Sequence, residues 1–556
     1  MQSKRWQLAE PCLPRNGAEV LESLFRNRGV DTSFLETPLA ELEVHCGCCG
    51  MTEGAALVAS HLKRGSRIIL VADYDCDGIT SAVQMSLFLR EIGYGNFETV
   101  LPDRSEGYGI PLRAVLDHPD ASLFIAMDCG THDFQAITAA KGIGADTVVI
   151  DHHEVGRSGA APASILINPK QPGCPSRFKE LCSSGLTLLF LTRLRKALAG
   201  TYPSVSLGGK YLALAAVGTL ADLVPLVDGN RIIARNGLVA LNTSPFPPLS
   251  RIAEYAGLGG KRLNAGHVGF QLAPRINAAG RMASPRIAYD LLVGEDAASI
   301  DQGALVLNQL NQRRQAQEEA ILREITARFA DSVDGHRTVV LADPSWPVGL
   351  VGIIASRVQQ ELLYGPSIIL AVDPEKRIAR GSARSIPGFD LHHALQKTGD
   401  LLLKWGGHKM AGGLTLSIDK LDAFAEAFEK TASELPTETF VPVGRVDMEL
   451  PVELATDELL QSLGPLEPHG PGNPRPTFAA RGIRVSTARR FGKSMEHVSM
   501  TVANRFPAVF WRGSRALSAV GEGLEGPLDI VFQLDRARNA NPPLLSIKDM
   551  GQLFPA

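Results

Sequence analysis

Residues 67–78 read RIILVADYDCDG, an apolar run followed by three alternating aspartates, Asp73, Asp75 and Asp77. An apolar run of this length, bounded by turn-forming residues, predicts a buried β-strand over Ile68–Ala72. Alternate residues of an extended backbone share a face, so the carboxylates can converge if the strand frays at its end. Gly78 allows a tight turn into a helix that we expect to begin near Thr80. Carboxylates this close repel each other, which predicts a compensating cation, most economically a divalent metal ion.

The composition of the 556-residue chain is that of an ordinary globular protein, with 45% apolar and 21% charged residues. At roughly 150 residues per domain, the length predicts about three domains. The net charge of −3 provides no global basic field, so nucleic-acid binding would depend on local patches. No stretch approaches the roughly 18 uninterrupted apolar residues of a membrane span, and the N-terminus lacks an apolar signal region. We therefore expect a cytoplasmic protein without a membrane segment.

Eight cysteines raise the question of a zinc site. Cys46, Cys48 and Cys49 cluster, and the others stand singly at Cys12, Cys76, Cys129, Cys174 and Cys182. A structural zinc site would need a second pair of ligands at suitable spacing, which these scattered cysteines do not suggest. The sequence therefore favours reduced thiols in a cytoplasmic protein.

Strands and helices alternate from about residue 65. Strand-like runs at Ile68–Ala72, Leu123–Met127 and Thr147–Ile150 are accompanied by helical stretches near Ala82–Ile92 and Phe134–Lys141. This alternation predicts a parallel, doubly wound sheet.

Each of these three strands is followed by an aspartate, namely Asp73, Asp128 or Asp151. Open α/β sheets bind ligands at the carboxyl ends of their strands, so the three acids are expected to meet in one crevice. A single strand-terminal aspartate is usually a cap or turn residue, but three in succession, one of them opening Asp151-His152-His153, favour a functional site. Asp222, which follows the helix-like run Tyr211–Val217, is a fourth candidate.

The rest of the chain is predicted to form a connector helix, a second α/β unit and a small β-barrel. Helical spacing over residues 300–332 predicts a long, partly exposed helix. The second unit is predicted from strands over Thr338–Ala342 and Ser367–Val372 and a helix near Val351–Leu363. After about residue 436 the barrel is predicted from short strand-like runs at Gly482–Ser486, Val498–Val502, Ala508–Trp511, Leu528–Leu534 and Leu544–Ile547.

The acids and histidines form a ligand set for hard divalent ions. Carboxylate oxygen with imidazole nitrogen suits Mn²⁺ or Mg²⁺ better than structural zinc. Five acids and one or two histidines exceed the needs of one ion, which predicts two ions about 3.5–4 Å apart that share a carboxylate, as in two-metal phosphoesterases. Adjacent side chains after a strand point apart, so His152 is assigned to metal and His153 to the phosphate or leaving oxygen.

Two loops carry candidate substrate contacts. Arg104 and Tyr108 lie in the first, where a guanidinium suits phosphate contact and an aromatic ring suits base stacking. The second contributes Arg275, Asn277 and Arg281, with small residues between them that allow close backbone approach. For any one of these arginines, an ordinary surface or salt-bridge role is an equally common explanation.

Two later segments could contact phosphate. Ser382 and Arg384 share one face of an extended segment, an arrangement that fits a terminal phosphate. The glycine-rich residues 406–413, which include His408, could expose backbone amides to a phosphate.

With these residues the chain resembles the DHH phosphoesterases and, within them, the RecJ single-strand-specific exonucleases. The matching segments are Asp73-Tyr74-Asp75-Cys76-Asp77-Gly78, Asp128-Cys129-Gly130, Asp151-His152-His153, Ala221-Asp222, Gly280-Arg281, Gly381–Ser385, Gly406–Gly413 and Gly470-Pro471-Gly472-Asn473-Pro474. Val71 departs from the pattern, because many members of the family have a histidine there.

The resemblance implies a 5′→3′ exodeoxyribonuclease that uses two Mn²⁺ or Mg²⁺ ions and releases 5′-mononucleotides from single-stranded DNA in repair and recombination. The metal ligands that it implies are Asp75, Asp77, Asp128, His152 and Asp222, with Asp73 in addition. Asp128 and His153 would serve catalysis. Ser382 and Arg384, with Arg104, would bind the 5′ phosphate and set the polarity.

The resemblance also implies a domain order: an N-terminal segment (1–60), a DHH catalytic domain (61–299), a connector helix (300–332), a DHH-associated substrate-binding domain (333–435) and an OB-like domain (436–556). A monomer is expected, with single-stranded DNA bearing a 5′ phosphate, a single-strand-binding protein and a helicase as partners. A passage too narrow for duplex DNA would give single-strand selectivity.

Two alternatives stay open on the sequence alone. One is a nanoRNA or cyclic-dinucleotide phosphodiesterase of the same superfamily, although such relatives are usually shorter and lack an OB-like region. The other is a catalytically degenerate single-strand-binding protein, against which the full set of acids and histidines argues.

Overall fold

The computed structural model of the protein describes residues 4–9, 13–45, 47–156, 159–329, 335–514, 516–517, 526–536 and 542–554. The chain divides into two compact units. The first unit comprises residues 37–317 and 468–474, and the second comprises residues 1–36, 318–467 and 475–556. The predicted domains are a finer division and stay a prediction. Within the described ranges, no helix has the length and apolar character needed to cross a membrane.

The strands, numbered in chain order, are β1 (Arg5–Leu8), β2 (Ile68–Ala72), β3 (Phe97–Val100), β4 (Leu123–Met127), β5 (Asp146–Ile150), β6 (Ile165–Ile167), β7 (Val339–Asp343), β8 (Ser367–Asp373), β9 (Ile378–Arg384), β10 (Lys404–Gly407), β11 (Ala411–Ser417), β12 (Val443–Val446), β13 (Met448–Glu449), β14 (Phe478–Ile483), β15 (Val485–Phe491), β16 (His497–Val502), β17 (Phe506–Phe510), β18 (Leu528–Asp535) and β19 (Leu544–Gly551). The α-helices are α1 (Gly17–Arg28), α2 (Leu42–His45), α3 (Met51–Lys63), α4 (Cys76–Glu91), α5 (Arg113–Leu116), α6 (Phe134–Gly142), α7 (Ser183–Ala197), α8 (Lys210–Ala221), α9 (Asp228–Thr243), α10 (Pro247–Tyr255), α11 (Ala265–His267), α12 (Ala273–Met282), α13 (Arg286–Leu292), α14 (Ala297–Phe329), α15 (Val351–Glu361), α16 (Leu391–Lys397), α17 (Leu421–Ser433) and α18 (Asp457–Leu463).

A five-stranded parallel sheet of order β3-β2-β4-β5-β6 organises the first unit. Every residue of β2 is buried because its two faces enter different cores. Ile68, Leu70 and Ala72 pack on one face with residues of α4, α7 and α8, and Ile69 and Val71 pack on the other. A continuous apolar run is what such a doubly covered strand requires, so the predicted parallel sheet is confirmed.

Helix α4 begins at Cys76, four residues before the predicted start near Thr80. Asp75 is its N-cap, with an extended backbone and a side-chain oxygen that accepts from the N–H groups of Asp77 and Gly78 at 2.9 and 3.2 Å. The carboxylates of Asp73 and Asp75 therefore converge without a frayed strand, because the cap starts the helix directly after β2. Gly78 is needed for close approach, since an added Cβ would lie 2.4 Å from the carbonyl oxygen of Asp73.

The long predicted helix is present as α14, which has 33 residues. Residues 330–332 of the prediction lie outside the described ranges. The second unit then forms a mixed sheet of order β10-β11-β9-β8-β7, in which only β7 and β8 of these neighbours run parallel. The glycine-rich residues 406–413 form a β-hairpin, with Gly406 opposite Gly413 and Gly407 opposite Gly412. Their backbone is thus engaged largely in strand pairing rather than forming an open phosphate loop.

A seven-stranded sheet of order β13-β14-β18-β19-β17-β16-β15 follows in the second unit. Four of the five predicted runs fall on its strands, whereas the run Gly482–Ser486 spans the end of β14 and the start of β15. The N-terminal segment joins this region. Strand β1 pairs in parallel with β12, and Val20 and Leu24 of α1 are buried in the same core as the sheet.

Candidate metal centre

The carboxyl ends of β2, β4 and β5 bring three acids to one edge of the parallel sheet. The register aligns the last residues of these strands. The aspartates that follow, Asp73, Asp128 and Asp151, therefore lie side by side. The backbone N–H of Asp128 extends the ladder by donating to the carbonyl of Ile150 at 2.9 Å.

Asp77 is held by the first turn of α7. Its two carboxylate oxygens accept from the backbone N–H groups of Ser183 and Ser184, each at 2.8 Å. These amides form the positive end of a helix, which favours an ionised carboxylate. Burial and the neighbouring Asp75 outweigh them and raise the pKa of Asp77 to about 6. The carboxylate of Asp77 is therefore fixed in position, but the two amides do not fully compensate its negative charge.

Asp128 occupies a backbone conformation that side chains rarely adopt, with φ of +61°. Its side chain is 2% exposed, and its buried Oδ1 has no hydrogen-bond partner among the described residues. Burial, and then the charges of Asp77 and Asp75, raise its pKa well above the ordinary value. Asp73 shows the same pattern, with a buried Oδ1 that lacks a partner within the described ranges and a pKa raised by burial and by Asp75. Backbone strain and unmet charge together are typical of a functional site.

His152 lies among three of these acids. Its Nε2 is 3.3 Å from Asp128 Oδ1, 3.6 Å from Asp222 Oδ2 and 3.8 Å from Asp77 Oδ2. Asp222 reaches this position because it caps the C-terminal end of α8. Burial and the nearby charge of His153 lower the pKa of His152 to about 3. The imidazole is therefore neutral and can offer a lone pair to a metal ion.

His153 is oriented by a second set of contacts. Its Nδ1 lies 2.7 Å from Asp151 Oδ1 and 2.9 Å from the hydroxyl of Tyr108, and its carbonyl accepts from Asn168 Nδ2 at 2.8 Å. Burial lowers its pKa, but the hydrogen bond and charge of Asp151 prevail and raise it to about 9. His153 is thus a cation at neutral pH, and it lies within 4.8 Å of ligand atoms of Asp128 and His152.

The six predicted metal ligands fall into two groups whose ligand atoms lie within 4.8 Å of one another: Asp73, Asp75 and Asp128 form one group, and Asp77, His152 and Asp222 form the other. His153, which was predicted to contact the phosphate, lies within the same distance of Asp128 and His152. The buried carboxylate oxygens of Asp73 and Asp128 that lack hydrogen-bond partners among the described residues, together with the raised pKa values, are typical of acids that a cation compensates. Oxygen-rich groups with one imidazole each at most suit Mn²⁺ or Mg²⁺. The residues present therefore fit divalent ions of this kind.

Arg104 and Arg281 lie beside the cluster. The guanidinium of Arg104 stacks over the ring of Tyr74 at 4.1 Å, and its charge lowers the pKa of Asp73 against the larger effect of burial. Gly280 packs against the carbonyl of Tyr74, which brings the neighbouring Arg281 to the same place. Both arginines can therefore meet a phosphate near the acids.

Two predicted substrate residues already have structural partners. Asn277 Oδ1 accepts from the N–H of Cys76 at 2.8 Å and so anchors α12 to the start of α4. Arg275 donates to Asn308 Oδ1 at 3.1 Å and to the carbonyl of Gln271 at 2.7 Å. Their assignment to substrate stays a prediction, although the structure gives each a role in holding helices together. Tyr108 is different, because the residue is 47% exposed while its hydroxyl contacts His153.

Ser382 and Arg384 meet on β9 as expected for neighbours two residues apart. Arg384 Nη1 donates to Ser382 Oγ at 2.6 Å and to the carbonyl of Ala383 at 2.8 Å. Burial lowers the pKa of Arg384, and among the described residues no carboxylate forms an ion pair with it. Gly352, in the first turn of α15, lies against both side chains. His408 is exposed at the tip of the β10–β11 hairpin, where its N–H donates to Ala411.

Sequence reasoning missed several supporting groups. Asp151 was placed at the sheet edge without a role, yet it positions His153. The amides of Ser183 and Ser184 follow no acidic or basic motif, so no local signal marks them. Lys170 pairs with Glu154 at 3.0 Å, and its charge affects the pKa of His152 and Asp222. Its place shortly after β6, at the same sheet edge, was a usable signal.

Comparison with known sequence families identifies three regions. Residues 67–219 match the DHH family, N-terminal domain, residues 335–434 match the DHHA1 domain, and residues 446–545 match the RecJ OB domain. The matches follow the predicted order of catalytic, DHH-associated and OB-like regions.

Similar proteins extend over nearly the whole chain. The single-stranded-DNA-specific exonuclease RecJ of Bacillus subtilis is 33% identical over 542 residues, covering 95% of this chain and 67% of that protein. The protein of the same name from Haemophilus influenzae is 30% identical over 508 residues, with 86% of each chain covered. The chain spans 65% of the length of the corresponding Thermus thermophilus protein.

Solved structures agree with these matches. The crystal structure of RecJ in complex with Mn²⁺ from Thermus thermophilus superimposes with a TM-score of 0.83 at 28% identity, covering 98% of this chain and 79% of that one. The Mg²⁺ complex of the same protein gives a TM-score of 0.77. The metal assignment made from the donor set thus matches the ions carried by these similar structures. By sequence, domain order and fold, the chain belongs to the RecJ family of DHH phosphoesterases.

Proposed function

We propose that the protein is a metal-dependent 5′→3′ exonuclease that releases 5′-mononucleotides from single-stranded DNA. The observation that carries the proposal is the division of six ligands into two adjacent groups, one on each side of the contact between Asp128 and His152. This arrangement can hold two divalent ions that share Asp128. Such ions supply Lewis acidity and neutralise the charge that develops on phosphoryl oxygens.

The chain's own residues orient and protonate the substrate in this proposal. Asp151 holds His153 as a cation, and we assign this cation to stabilising or protonating the leaving oxygen. Arg104 and Arg281 place positive charge beside the scissile phosphate, where bidentate contact fixes its orientation. The exposed ring of Tyr108 offers a stacking surface for a base.

We assign the recognition of the 5′ end of the strand, which sets the direction of digestion, to Ser382 and Arg384. The partly buried guanidinium of Arg384 donates to a hydroxyl and a carbonyl through Nη1, and its other N–H groups could bind an anion. The first turn of α15 adds partial positive charge next to it through Gly352. We assign the 5′ phosphate of the DNA to this site, which would make the 5′ end the start of digestion.

The setting that we propose rests on the resemblance to the RecJ family. The protein would act in DNA repair and recombination in the cytoplasm, as a monomer. A single-strand-binding protein would present the substrate strand and a helicase would generate it. The RecJ OB region at residues 446–545 supports a polymeric single strand over a dinucleotide as substrate.

One assay tests the proposal. The protein with Mn²⁺ is incubated with 5′-labelled single-stranded DNA, duplex DNA and RNA two to five nucleotides long. Release of labelled mononucleotide from single-stranded DNA is the expected result. Preference for the short RNA would instead assign the site to a nanoRNA phosphodiesterase. Absence of turnover with Mn²⁺ and with Mg²⁺ would assign the chain to non-enzymatic binding.

A further inference from the structure

Three thiols from distant parts of the sequence converge outside the metal centre. Cys48 and Cys49 precede α3, and Cys174 lies in the segment between β6 and α7. The Sγ atoms of Cys48 and Cys174 are 3.7 Å apart, and the backbone N–H of Cys49 donates to Cys174 Sγ at 3.4 Å. All three are free thiols, whereas Cys12 and Cys46 lie outside the described residues. Cys174 could not be assigned to the cluster from sequence, because 126 residues separate it from Cys48.

The two contacting sulfurs, those of Cys174 and Cys48, differ in solvent exposure and in pKa. Cys174 is partly exposed and Cys48 is buried. Burial disfavours ionisation of Cys174, but hydrogen bonds from the amides of Cys49 and Ser176, the contact with Cys48 and the charge of Lys179 prevail and lower its pKa. Burial raises the pKa of Cys48. The pair therefore consists of an accessible, activated sulfur beside a protected thiol.

We propose that Cys174 and Cys48 form a peroxide-reactive site, in which Cys174 is the attacking sulfur and Cys48 is the resolving thiol. The thiolate of Cys174 attacks one oxygen of hydrogen peroxide, the O–O bond breaks, and hydroxide leaves and takes up a proton to become water. Cys174 is then a sulfenic acid. The sulfur of Cys48 attacks it, the S–O bond breaks, and the proton of Cys48 goes to the departing hydroxide. Two thiols and one peroxide thus give one disulfide and two waters.

The position of this bond links it to a segment that supports the metal centre. Asn168, which donates to the carbonyl of His153, and Ser183 and Ser184, which hold Asp77, flank Cys174 on either side. A disulfide would tie this segment to the start of α3 and close a loop of 126 residues. Closing a long loop restricts the unfolded chain, so the oxidised protein should melt at a higher temperature than the reduced protein.

The experiment treats the full chain with stoichiometric hydrogen peroxide, blocks the remaining thiols with iodoacetamide and maps the peptides by mass spectrometry. A linked Cys48–Cys174 peptide is expected in the wild type and in Cys49→Ser, which leaves the pair intact. The link should be absent from Cys174→Ser. In Cys48→Ala, the sulfenic acid at Cys174 should persist and react with dimedone.

Three results would overturn the proposal. The first is full alkylation of Cys174 after peroxide treatment, which would make it an unreactive thiol. The second is a link from Cys174 only to Cys49, which would remove Cys48 as the resolving residue. The third is stoichiometric zinc in the purified wild type that is lost in Cys174→Ser, because the cluster would then be a metal site. Circular dichroism melts of each variant establish that the chain is folded in every case.

Discussion

At the scale of single residues, the metal centre is a cluster of acids that the protein holds together against their mutual repulsion. Asp77 and Asp128 are buried, and their pKa values are raised by burial and by neighbouring carboxylates. Their ionised forms therefore destabilise the metal-free fold at neutral pH, and bound cations would remove this cost. The acids thus lower the stability of the metal-free protein and raise its affinity for divalent ions.

This exchange predicts a pH dependence of the metal-free protein. Because the folded pKa of Asp77 is about 6 and its ordinary value is 3.8, its contribution to stability is fully present below 3.8 and is lost as the pH rises through 6. The loss is about 3 kcal/mol for a shift of this size, by the usual conversion. With a chelator, the melting temperature should fall between about pH 4 and pH 7, and Mn²⁺ should reverse the fall at pH 7.

Asp128→Asn separates the two roles of the cluster. Removing a buried, unpaired carboxylate should raise the melting temperature of the chelated protein at pH 7 and abolish hydrolysis. The increase in melting temperature caused by Mn²⁺ should shrink, since the carboxylate that the two ions are proposed to share is lost. A chelated variant that melts below the wild type would contradict this account of the acids.

Asp151 allows a second residue-scale prediction. Asp151→Asn keeps the shape of the contact to His153 but removes the charge that raises the pKa of His153. We expect hydrolysis to fall by about 10²–10⁴-fold, the usual contribution of a positioned acid. Because Asp151 is in neither of the two ligand groups, calorimetric Mn²⁺ affinity should change much less than activity. Equal losses of affinity and activity would assign Asp151 to the metal instead.

At the scale of secondary structure, the sequence predicted what local pattern determines. The run Ile68–Ala72 could only be a doubly covered strand, and the acids after it had to lie at its carboxyl end. The role of Asn277 was not predictable, because its partner Cys76 is 201 residues away. The placement of Asp75 was missed for a different reason, since an N-cap and a frayed strand end have the same sequence signature.

Residues 468–474 form a turn that contacts the loop after the predicted metal ligand Asp222. Leu226 donates its N–H to the carbonyl of Pro471 at 2.7 Å, and the turn is closed by paired backbone bonds between Gly470 and Asn473. Gly472, with φ of +72°, packs against Pro225 so closely that a Cβ would lie 3.0 Å from it. This turn therefore holds the loop that begins directly after Asp222.

Gly472→Ala should consequently weaken Mn²⁺ binding and hydrolysis, because the loop must shift to admit the methyl group. Gly482→Ala is the matched control. It has a similar φ of +65°, but an added Cβ meets nothing within 4 Å. Both variants carry a backbone strain of about 1 kcal/mol, so both should lose some stability. Only Gly472→Ala should lose metal affinity by calorimetry, and equal affinities would remove the turn from the support of Asp222.

At the scale of the whole molecule, the predicted metal ligands and the residues proposed to bind the 5′ phosphate belong to different units of the chain. The acids belong to the first unit, and Ser382 and Arg384 belong to the second. Because the net charge is −3, DNA binding depends on local sites of this kind, and the loss of one phosphate contact should weaken it measurably. If Arg384 reads the terminal phosphate, its removal should affect substrates according to their 5′ end and leave the metal-dependent step intact.

A four-way comparison isolates this effect. Wild type and Arg384→Ala are each assayed on single-stranded DNA with a 5′ phosphate and with a 5′ hydroxyl. Loss of the phosphate should reduce kcat/KM of the wild type by about 10–100-fold, the range of a charge-assisted contact worth about 1.5–3 kcal/mol. The same loss should change Arg384→Ala by little, because the contact is already absent. Arg384→Lys keeps the charge but not the planar fork, so it should fall between the two. An undiminished response to the 5′ phosphate in Arg384→Ala would move the recognition of the strand end to another residue, with Arg104 the next to test.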